Sequence, residues 1–229
     1  MLDVALILTL SYLAGSIPTS ILAGRLLRGI DIRRHGSGNA GATNTFRVLG
    51  WKAGLAVAAI DVAKGFLAVL LIARIRISGG PGAAAVLIQP PSLLPVLAGC
   101  AAILGHIFPV FARFRGGKGV GTGAGAMFAL HPAVAGCCLF VFVVTALLTG
   151  YVSLSSILAS ITLPVSYLVI TALQGEPFDA AWIVFTWCVA AAIVYMHRKN
   201  IRRLFRGTES RFEKLRVFRR RLDGGRPEA

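Results

Sequence analysis

The sequence predicts an all-α membrane protein with about seven transmembrane helices, one of them short. Three observations support this prediction. Of the 229 residues, 56% are hydrophobic, and the mean hydropathy is +0.75, an apolar excess far beyond what a water-soluble core needs. Only 14% of the residues are charged, although the formal net charge is +15, so the positive charge must be concentrated in a few short segments.

A helix needs about 20 mostly apolar residues to cross the hydrocarbon core. The candidate spans cover residues 3–24, 53–74, 93–111, 120–131, 132–150, 152–173 and 178–197. The first span lacks the basic start of a cleavable signal peptide, so we interpret it as a membrane helix. The fourth, GVGTGAGAMFAL, is short and rich in glycine, so it is either a half-helix or a short tilted crossing.

The distribution of basic residues predicts the topology. Of the 24 Lys and Arg residues, six lie in 25–52, three in 113–118 and twelve from Arg198 onward. Placing all three groups in the cytoplasm requires the short fourth span to be a real crossing and the N-terminus to lie outside. We therefore expect seven crossings, a transmembrane domain over 1–205 and a basic cytoplasmic tail over 206–229. The tail lacks interleaved aromatic residues, so we expect it to lie near anionic lipid headgroups and not to bind nucleic acid.

Three polar stretches interrupt this apolar pattern, and by the predicted topology all three open on the cytoplasmic face. The first comprises GSIPTS at 15–20 and DIRRHGSGNAGATNTFRVLG at 31–50. The second is GHIFPVFARFRGGKGVGTGAG at 105–125, and the third is HRKNIRRLFRGTES at 197–210. We expect the three stretches to converge on one site.

The first two stretches have the composition of phosphate-binding loops. Successive glycines let backbone N–H groups point into one concavity that binds phosphate oxygens, and a cation beside each loop, Arg47 or Lys118, would strengthen the binding. The glycines of GVGTGAG by themselves would favour helix packing instead, and the spacing does not fit a nucleotide P-loop. The candidate phosphate-binding residues are Ser37, Asn39, Asn44, Arg47, Gly116, Gly117, Lys118, Gly119 and Thr122.

The third stretch begins where the last span leaves the membrane. His197 and Asn200 are three residues apart, which places them on one helical face with Arg203 nearby. A histidine at this position could cap a helix, but together with Asn200 it is a candidate for the reacting end of the site. Glu209 is expected to pair with a basic residue and so tie the tail to the loops.

Other ionisable residues suggest structural roles. Asp61 and Lys64 stand three residues apart inside the second span, and they form either a structural ion pair or an outer wall of the site. The four cysteines lie in apolar runs without a CxxC pair or a histidine at ligand spacing, which predicts packing roles. We therefore expect neither a metal ion nor a cofactor.

In order and spacing, the three polar stretches resemble the three motifs of the bacterial acyl-phosphate:glycerol-3-phosphate acyltransferases. The resemblance implies a multi-pass inner-membrane enzyme with a cytoplasmic active site, which moves a fatty acyl group from acyl phosphate to the 1-position of glycerol 3-phosphate. Membrane lipids would surround it, and neither CoA nor acyl carrier protein would be required. By motif position, Ser37, Arg47 and Lys118 would bind phosphates, the glycines around Lys118 would form the phosphate loop, His197 and Asn200 would lie at the reacting end, and Glu209 would support the fold.

Some alternatives remain open at this stage. Either His197 or the donor phosphate, whose pKa is about 6, could accept the hydroxyl proton, and the resemblance favours the phosphate. An acyl-enzyme on Ser37 is disfavoured because His35 is a poor candidate base. An acyl-CoA enzyme is disfavoured because no histidine is followed by an acid five residues later. A transporter of a phosphorylated solute is the alternative of another class, although the sequence shows no internal repeat.

Overall fold

A computed structural model of the chain describes residues 2–75 and 93–212, and all regular secondary structure in these ranges is helical. Short 3₁₀ turns lie at Ile32–Arg34, Ile72–Arg74 and Val110–Ala112. The predicted all-α membrane fold is confirmed. The α-helices are α1 Leu2–Gly15, α2 Thr19–Arg28, α3 Ala42–Leu49, α4 Trp51–Leu70, α5 Leu93–Ile107, α6 Val120–Leu130, α7 Pro132–Thr149, α8 Val152–Gln174, α9 Ala180–Met196 and α10 Arg198–Phe205.

Several helical segments are long and apolar enough to cross a membrane: Leu2–Arg28, Trp51–Arg74, Leu93–Ala112, Pro132–Thr149 and Val152–Gln174. A sixth is present if α9 and α10, which meet at 57°, are taken as one broken span. Helix α6 has only 11 residues and is therefore about 16 Å long, well short of a hydrocarbon core of about 30 Å. The chain is a multi-pass membrane protein, while the seven crossings and the sides of the termini stay predictions.

The first predicted span, 3–24, is not one continuous helix. Helix α1 ends at Gly15 and α2 starts at Thr19. Pro18 lacks a backbone N–H and disfavours the helical conformation of the residue before it, so the helix breaks there. Helix α2 then carries Arg25 and Arg28 in its last turn, where the positive charges complement the helix dipole.

Helices α4 and α6 pack against each other through glycines. A Cβ on Gly65 would collide with the Thr122 carbonyl, and a Cβ on Gly125 would collide with the Val62 carbonyl. Small residues let membrane helices approach this closely. Gly125 of the GVGTGAG run therefore serves helix packing, and this close contact holds the first turns of α6, just after Lys118, against α4.

Buried apolar side chains from α5 to α9 form the main core, which includes Ile103, Met127, Val134, Leu163, Tyr167, Phe185 and Val189. Large apolar side chains on the outer faces of α7 to α9 are exposed, among them Phe140, Leu148, Val165, Val184 and Trp187. Such an exposed apolar surface is expected where a helix faces lipid, because lipid tails are as apolar as the side chains.

A buried polar cluster joins α2, α4 and α5 inside the bundle. The Asp61 Oδ1 accepts a hydrogen bond from Thr19 Oγ1 at 2.6 Å and lies 2.9 Å from Lys64 Nζ. His106 Nδ1 lies 3.5 Å from the same oxygen, and Lys64 Nζ also donates to the Ile17 carbonyl at 3.2 Å. Ionisable residues at membrane depth are tolerated when they are paired in this way, so these contacts favour the structural alternative for Asp61 and Lys64.

The glycine contact between α4 and α6 can be tested by adding one methyl group. Gly65→Ala should lower the thermal unfolding midpoint of the detergent-solubilised protein by several degrees, because overpacking costs about 1–3 kcal/mol. Gly136→Ala on α7 is the matched control, since a Cβ there meets nothing within 4 Å. Equal midpoints for the two variants would contradict this packing.

Candidate functional site

A chain of hydrogen bonds joins the second and third polar stretches. Lys118 Nζ donates to Asn200 Oδ1 at 2.5 Å, and Asn200 Nδ2 donates to Glu209 Oε1 at 2.6 Å. Arg203 Nε donates to the other carboxylate oxygen of Glu209, also at 2.6 Å. The predicted convergence of these two stretches is therefore confirmed, and so is the pairing of Glu209 with a basic residue.

The first polar stretch reaches the same place through Arg47. Its guanidinium donates to the Ser210 carbonyl at 3.2 Å and lies 4.8 Å from the centre of the Phe212 ring. Arg47 is in the last turn of α3, a helix that the hydropathy pattern does not reveal. All three stretches thus contribute to one cluster.

Residues 207–212 pack against this cluster and against the turn between α7 and α8. The Phe212 N–H donates to the Gly150 carbonyl at 2.9 Å, and the Arg211 guanidinium lies 4.5 Å from the centre of the Tyr151 ring. Glu209 is buried. The described start of the predicted tail, 207–212, therefore contacts the helical bundle, and the domain boundary at 205/206 stays a prediction. The rest of the predicted tail, 213–229, lies outside the described residues.

Three cations surround the single carboxylate of this cluster. The pKa of Lys118 is lowered to about 8, chiefly by burial; the carboxylate of Glu209 opposes this lowering, and the positive charges of Arg203 and Arg47 add to it. Burial also lowers the pKa of Arg47. A partly desolvated ammonium gains more from an incoming anion than a fully hydrated one, so the cluster is suited to bind negatively charged groups.

Asn44 shapes the loop that carries Ser37. It is fully buried, its Oδ1 accepts from the Ser37 N–H at 2.8 Å, and its Nδ2 donates to the carbonyls of Ile32 and His35 at 3.1 and 3.0 Å. These bonds use both ends of the amide, which favours a structural role over direct substrate contact. Ser37 itself is exposed, and Asn39 is half-buried.

Two of the predicted phosphate-loop glycines use their N–H groups elsewhere. Gly116 donates to the Ile107 carbonyl and Gly117 to the His106 carbonyl, both at 3.1 Å, so these N–H groups are not available to phosphate in this structure. Gly119 has a φ of +84° and precedes α6, which suits a residue without a Cβ. Thr122 is fully buried, and its hydroxyl has no hydrogen-bond partner within the described residues.

His197 occupies the bend between α9 and α10 and is buried. Its Nδ1 lies 2.8 Å from the Ile193 carbonyl oxygen. A carbonyl oxygen can only accept, so Nδ1 carries the proton and Nε2 of the neutral ring presents a lone pair. The ring is therefore held in the tautomer that a proton acceptor needs.

No group of three or more His, Cys, Asp or Glu side chains is placed to hold a metal ion within residues 2–75 and 93–212. The groups that the cluster offers to a ligand are guanidinium, ammonium and amide groups.

Sequence reasoning missed the contacts of Gly150, Tyr151 and Phe212, which lie outside the glycine-rich and basic motifs.

The fold and the cluster define an integral membrane protein in which three separate polar stretches meet in one cationic cluster. The chain belongs to the glycerol-3-phosphate acyltransferase family, whose sequence model matches residues 5–207. It is therefore an acyltransferase.

Similar proteins include the glycerol-3-phosphate acyltransferases of Chlorobaculum parvum and Salinibacter ruber. Each is 46% identical to this chain over 92% of its length, and the alignments cover 97% and 93% of the two relatives. The crystal structure of PlsY, an integral membrane glycerol 3-phosphate acyltransferase, in its glycerol 3-phosphate form matches with a TM-score of 0.75 at 34% identity, covering 93% of this chain and 96% of that one. The lysophosphatidic acid form matches with the same TM-score at 35% identity, covering 93% and 97%.

The role of Glu209 can be tested by hydrogen exchange. Glu209→Ala removes the acceptor for Asn200 and Arg203, so the amides of segment 207–212 should exchange markedly faster by mass spectrometry. Ser210→Ala is the matched control, because Arg47 contacts only the backbone carbonyl of Ser210. Similar exchange in both variants would show that Glu209 does not hold this segment.

Proposed function

We propose that the protein transfers a fatty acyl group from an acyl phosphate to the 1-hydroxyl of glycerol 3-phosphate, giving lysophosphatidic acid and inorganic phosphate. The observation that carries the proposal is the buried hydrogen-bond chain from Lys118 through Asn200 to Glu209, with Arg47 and Arg203 beside it. It concentrates positive charge where a substrate phosphate can replace part of the Glu209 contact. The solved relatives with glycerol 3-phosphate and lysophosphatidic acid support this substrate and product.

In this proposal, Arg47 and Lys118 bind the phosphate of glycerol 3-phosphate. The guanidinium can grip two oxygens, and the ammonium supplies a point charge. Arg203 and the exposed Ser37 hydroxyl complete the binding groups, and Asn39 is available on the same loop. Asn44, Gly116, Gly117, Gly119 and Thr122 act indirectly, by fixing the shape of the loops that carry these groups.

The reaction requires alignment of the 1-hydroxyl with the acyl carbonyl more than activation of either, because phosphate is a good leaving group. The 1-hydroxyl oxygen attacks the acyl carbonyl carbon, and the bond between that carbon and the phosphate oxygen breaks as the new ester bond forms. The hydroxyl proton passes to the departing phosphate, while the cations stabilise the developing negative charge. Neither CoA nor acyl carrier protein is needed, since the donor is already activated.

The direct route avoids an acyl-enzyme. Within the described residues, no histidine or carboxylate is hydrogen-bonded to the Ser37 hydroxyl, so that oxygen lacks the base that a nucleophilic serine needs. Asn200 is assigned to the reacting end because it is hydrogen-bonded to Lys118. His197, with its Nε2 lone pair, is the alternative proton acceptor, and it would lie at the reacting end as well.

The proposal also places the protein in the bacterial inner membrane, with seven crossings and the site facing the cytoplasm, as the basic residues around the three stretches indicate. A fluorescent protein fused after the C-terminus should then fold and fluoresce, whereas alkaline phosphatase fused there should be inactive. The opposite pattern would reverse the orientation.

The direct test of function uses purified protein with palmitoyl phosphate and radiolabelled glycerol 3-phosphate, without CoA or carrier protein. Lysophosphatidic acid and inorganic phosphate should form in equal amounts. If neither forms, while the protein in proteoliposomes carries glycerol 3-phosphate across the membrane, then the transporter alternative is correct instead.

Lys118 should be essential whichever group accepts the proton. Lys118→Ala should lower kcat/KM by about 10²- to 10³-fold, the usual effect of removing one stabilising group from a transition state. Lys199→Ala, which removes an exposed lysine on α10, should stay within about twofold of the unchanged protein. Near-normal turnover in Lys118→Ala would contradict the assigned phosphate site.

The pH dependence follows from the lowered pKa of Lys118, about 8. Below that pH the ammonium is charged and binds phosphate, and above it the free enzyme loses the charge, so the KM for glycerol 3-phosphate should rise as pH increases beyond 8. A Lys118→Arg variant that keeps measurable activity should not show this rise, because its guanidinium stays charged. A KM that is flat from pH 7 to 9.5 in the unchanged protein would refute the assignment.

A further inference from the structure

Gly117, the residue before Lys118, is held between α5 and the first polar stretch. A Cβ on Gly117 would collide with His106 Nε2, and it would lie 2.8 Å from the Ala40 carbonyl oxygen. Only a residue without a side chain fits between these two groups. The Gly117 N–H also donates to the His106 carbonyl at 3.1 Å, so both the ring and the backbone of His106 contact this residue.

The chain on the other side of Lys118 rests on Asp61. Gly121 lies in the first turn of α6, and a Cβ there would be 3.2 Å from Asp61 Cβ. A contact this short leaves almost no free space between α6 and α4. His106 and Asp61 therefore support the segment that carries Lys118 from both ends.

The carboxylate of Asp61 orients the His106 ring. His106 Nδ1 lies 3.5 Å from Asp61 Oδ1, and a carboxylate attracts the N–H side of an imidazole. The same oxygen accepts from Thr19 Oγ1 at 2.6 Å and lies 2.9 Å from Lys64 Nζ. Because these contacts fix the carboxylate, the ring keeps its Nε2 turned towards Gly117.

The His106 ring has little room to move. The cavity beside it has a volume of about 10 Å³, and its lining includes Lys64, Gly116 and Gly117. This volume is at the lower limit of what one water molecule needs. Closely packed groups transmit displacements to their neighbours, so a shift of the ring would move the Gly117 backbone and, with it, Lys118.

The Lys118 ammonium depends on the position of this backbone. Its Nζ reaches Asn200 Oδ1 at 2.5 Å, a contact that is lost if the loop moves away from α10. In an enzyme, misplacing a group by about 1 Å can cost about 100-fold in rate. A residue that fixes the loop can therefore control anion binding without touching the anion.

We propose that His106, oriented by Asp61, is a positioning residue for the reaction: it fixes the Gly117 backbone and thereby sets where the Lys118 ammonium enters the anion site. This inference rests on the proposed function, which assigns Lys118 to the phosphate of glycerol 3-phosphate. The Asp61 cluster then has two tasks. It joins α2, α4 and α5, and it holds the loop that carries Lys118.

Two substitutions of His106 in the full-length enzyme separate its contacts. His106→Asn places an amide nitrogen near the position of Nδ1, so it keeps the contact with Asp61 and leaves Gly117 unsupported. His106→Gln reaches the position of Nε2 and so supports Gly117. The KM for glycerol 3-phosphate should rise about tenfold in His106→Asn, the effect of losing about 1.4 kcal/mol of binding, and should change by less than about threefold in His106→Gln.

A merely structural role would give a different result. Loss of folded protein lowers kcat per total protein but leaves the KM of the remaining enzyme unchanged. Leu163→Ala removes a buried core side chain on α8, a helix that does not carry the Lys118 loop. This control should lower the thermal unfolding midpoint without changing the KM. An unchanged KM in His106→Asn, or an equal rise in His106→Gln, would overturn the proposal.

Binding measured without an acyl donor separates this inference from the proposed function. Radiolabelled glycerol 3-phosphate should bind the detergent-solubilised His106→Asn protein about tenfold more weakly than the unchanged protein or His106→Gln, whichever acyl donor the enzyme uses. Lys118→Ala is measured beside them. If Lys118→Ala weakens binding and His106→Asn does not, this inference fails and the phosphate site stands. If Lys118→Ala binds normally, both fail.

Discussion

The hydrogen bond between Lys118 and Asn200 is the contact on which the arrangement of the site depends, because it joins residues 82 positions apart in the chain. Lys118 lies in the loop before α6, whereas Asn200 lies on α10 and passes the contact on to Glu209. A hydrogen bond to a charged group contributes about 1.5–3 kcal/mol, and losing it here would also leave the Lys118 ammonium without its partner. The bundle around it keeps these three groups together: the glycine contact between α4 and α6 fixes the start of α6, and residues 207–212 hold Glu209 in place.

The charge balance of this site explains why a membrane protein tolerates it. Arg47, Lys118 and Arg203 are opposed by one carboxylate, so the cluster is only partly neutralised and retains attraction for an anion. Glu209 is hydrogen-bonded to Arg203 directly and is connected to Lys118 through Asn200, whose neutral amide adds no charge. The separate buried cluster around Asp61 has a structural role. Its groups bond to one another and to the backbone, and so hold α2, α4 and α5 together.

Hydropathy was sufficient to predict an all-helical, multi-pass membrane fold, and the clustering of basic residues was sufficient to predict that the three polar stretches converge. The details of the loops were not predictable in this way. Asn44 could bind a substrate or the backbone, and only the folded loop shows that its amide is used by Ser37, Ile32 and His35. Glycines are equally ambiguous: Gly116 and Gly117 donate to carbonyls of α5, and Gly65 and Gly125 serve helix contact. The packing of 207–212 depends on Gly150 and Tyr151, which are distant in sequence and carry no motif.

A structure of this chain with glycerol 3-phosphate bound would decide whether the Lys118–Asn200–Glu209 chain builds the phosphate site. We expect phosphate oxygens within hydrogen-bond distance of Lys118 Nζ and of the Arg47 guanidinium, with Asn200 and Glu209 still bonded to each other. Phosphate bound instead beside Asp61, Lys64 and His106, with Lys118 still donating only to Asn200, would contradict that assignment.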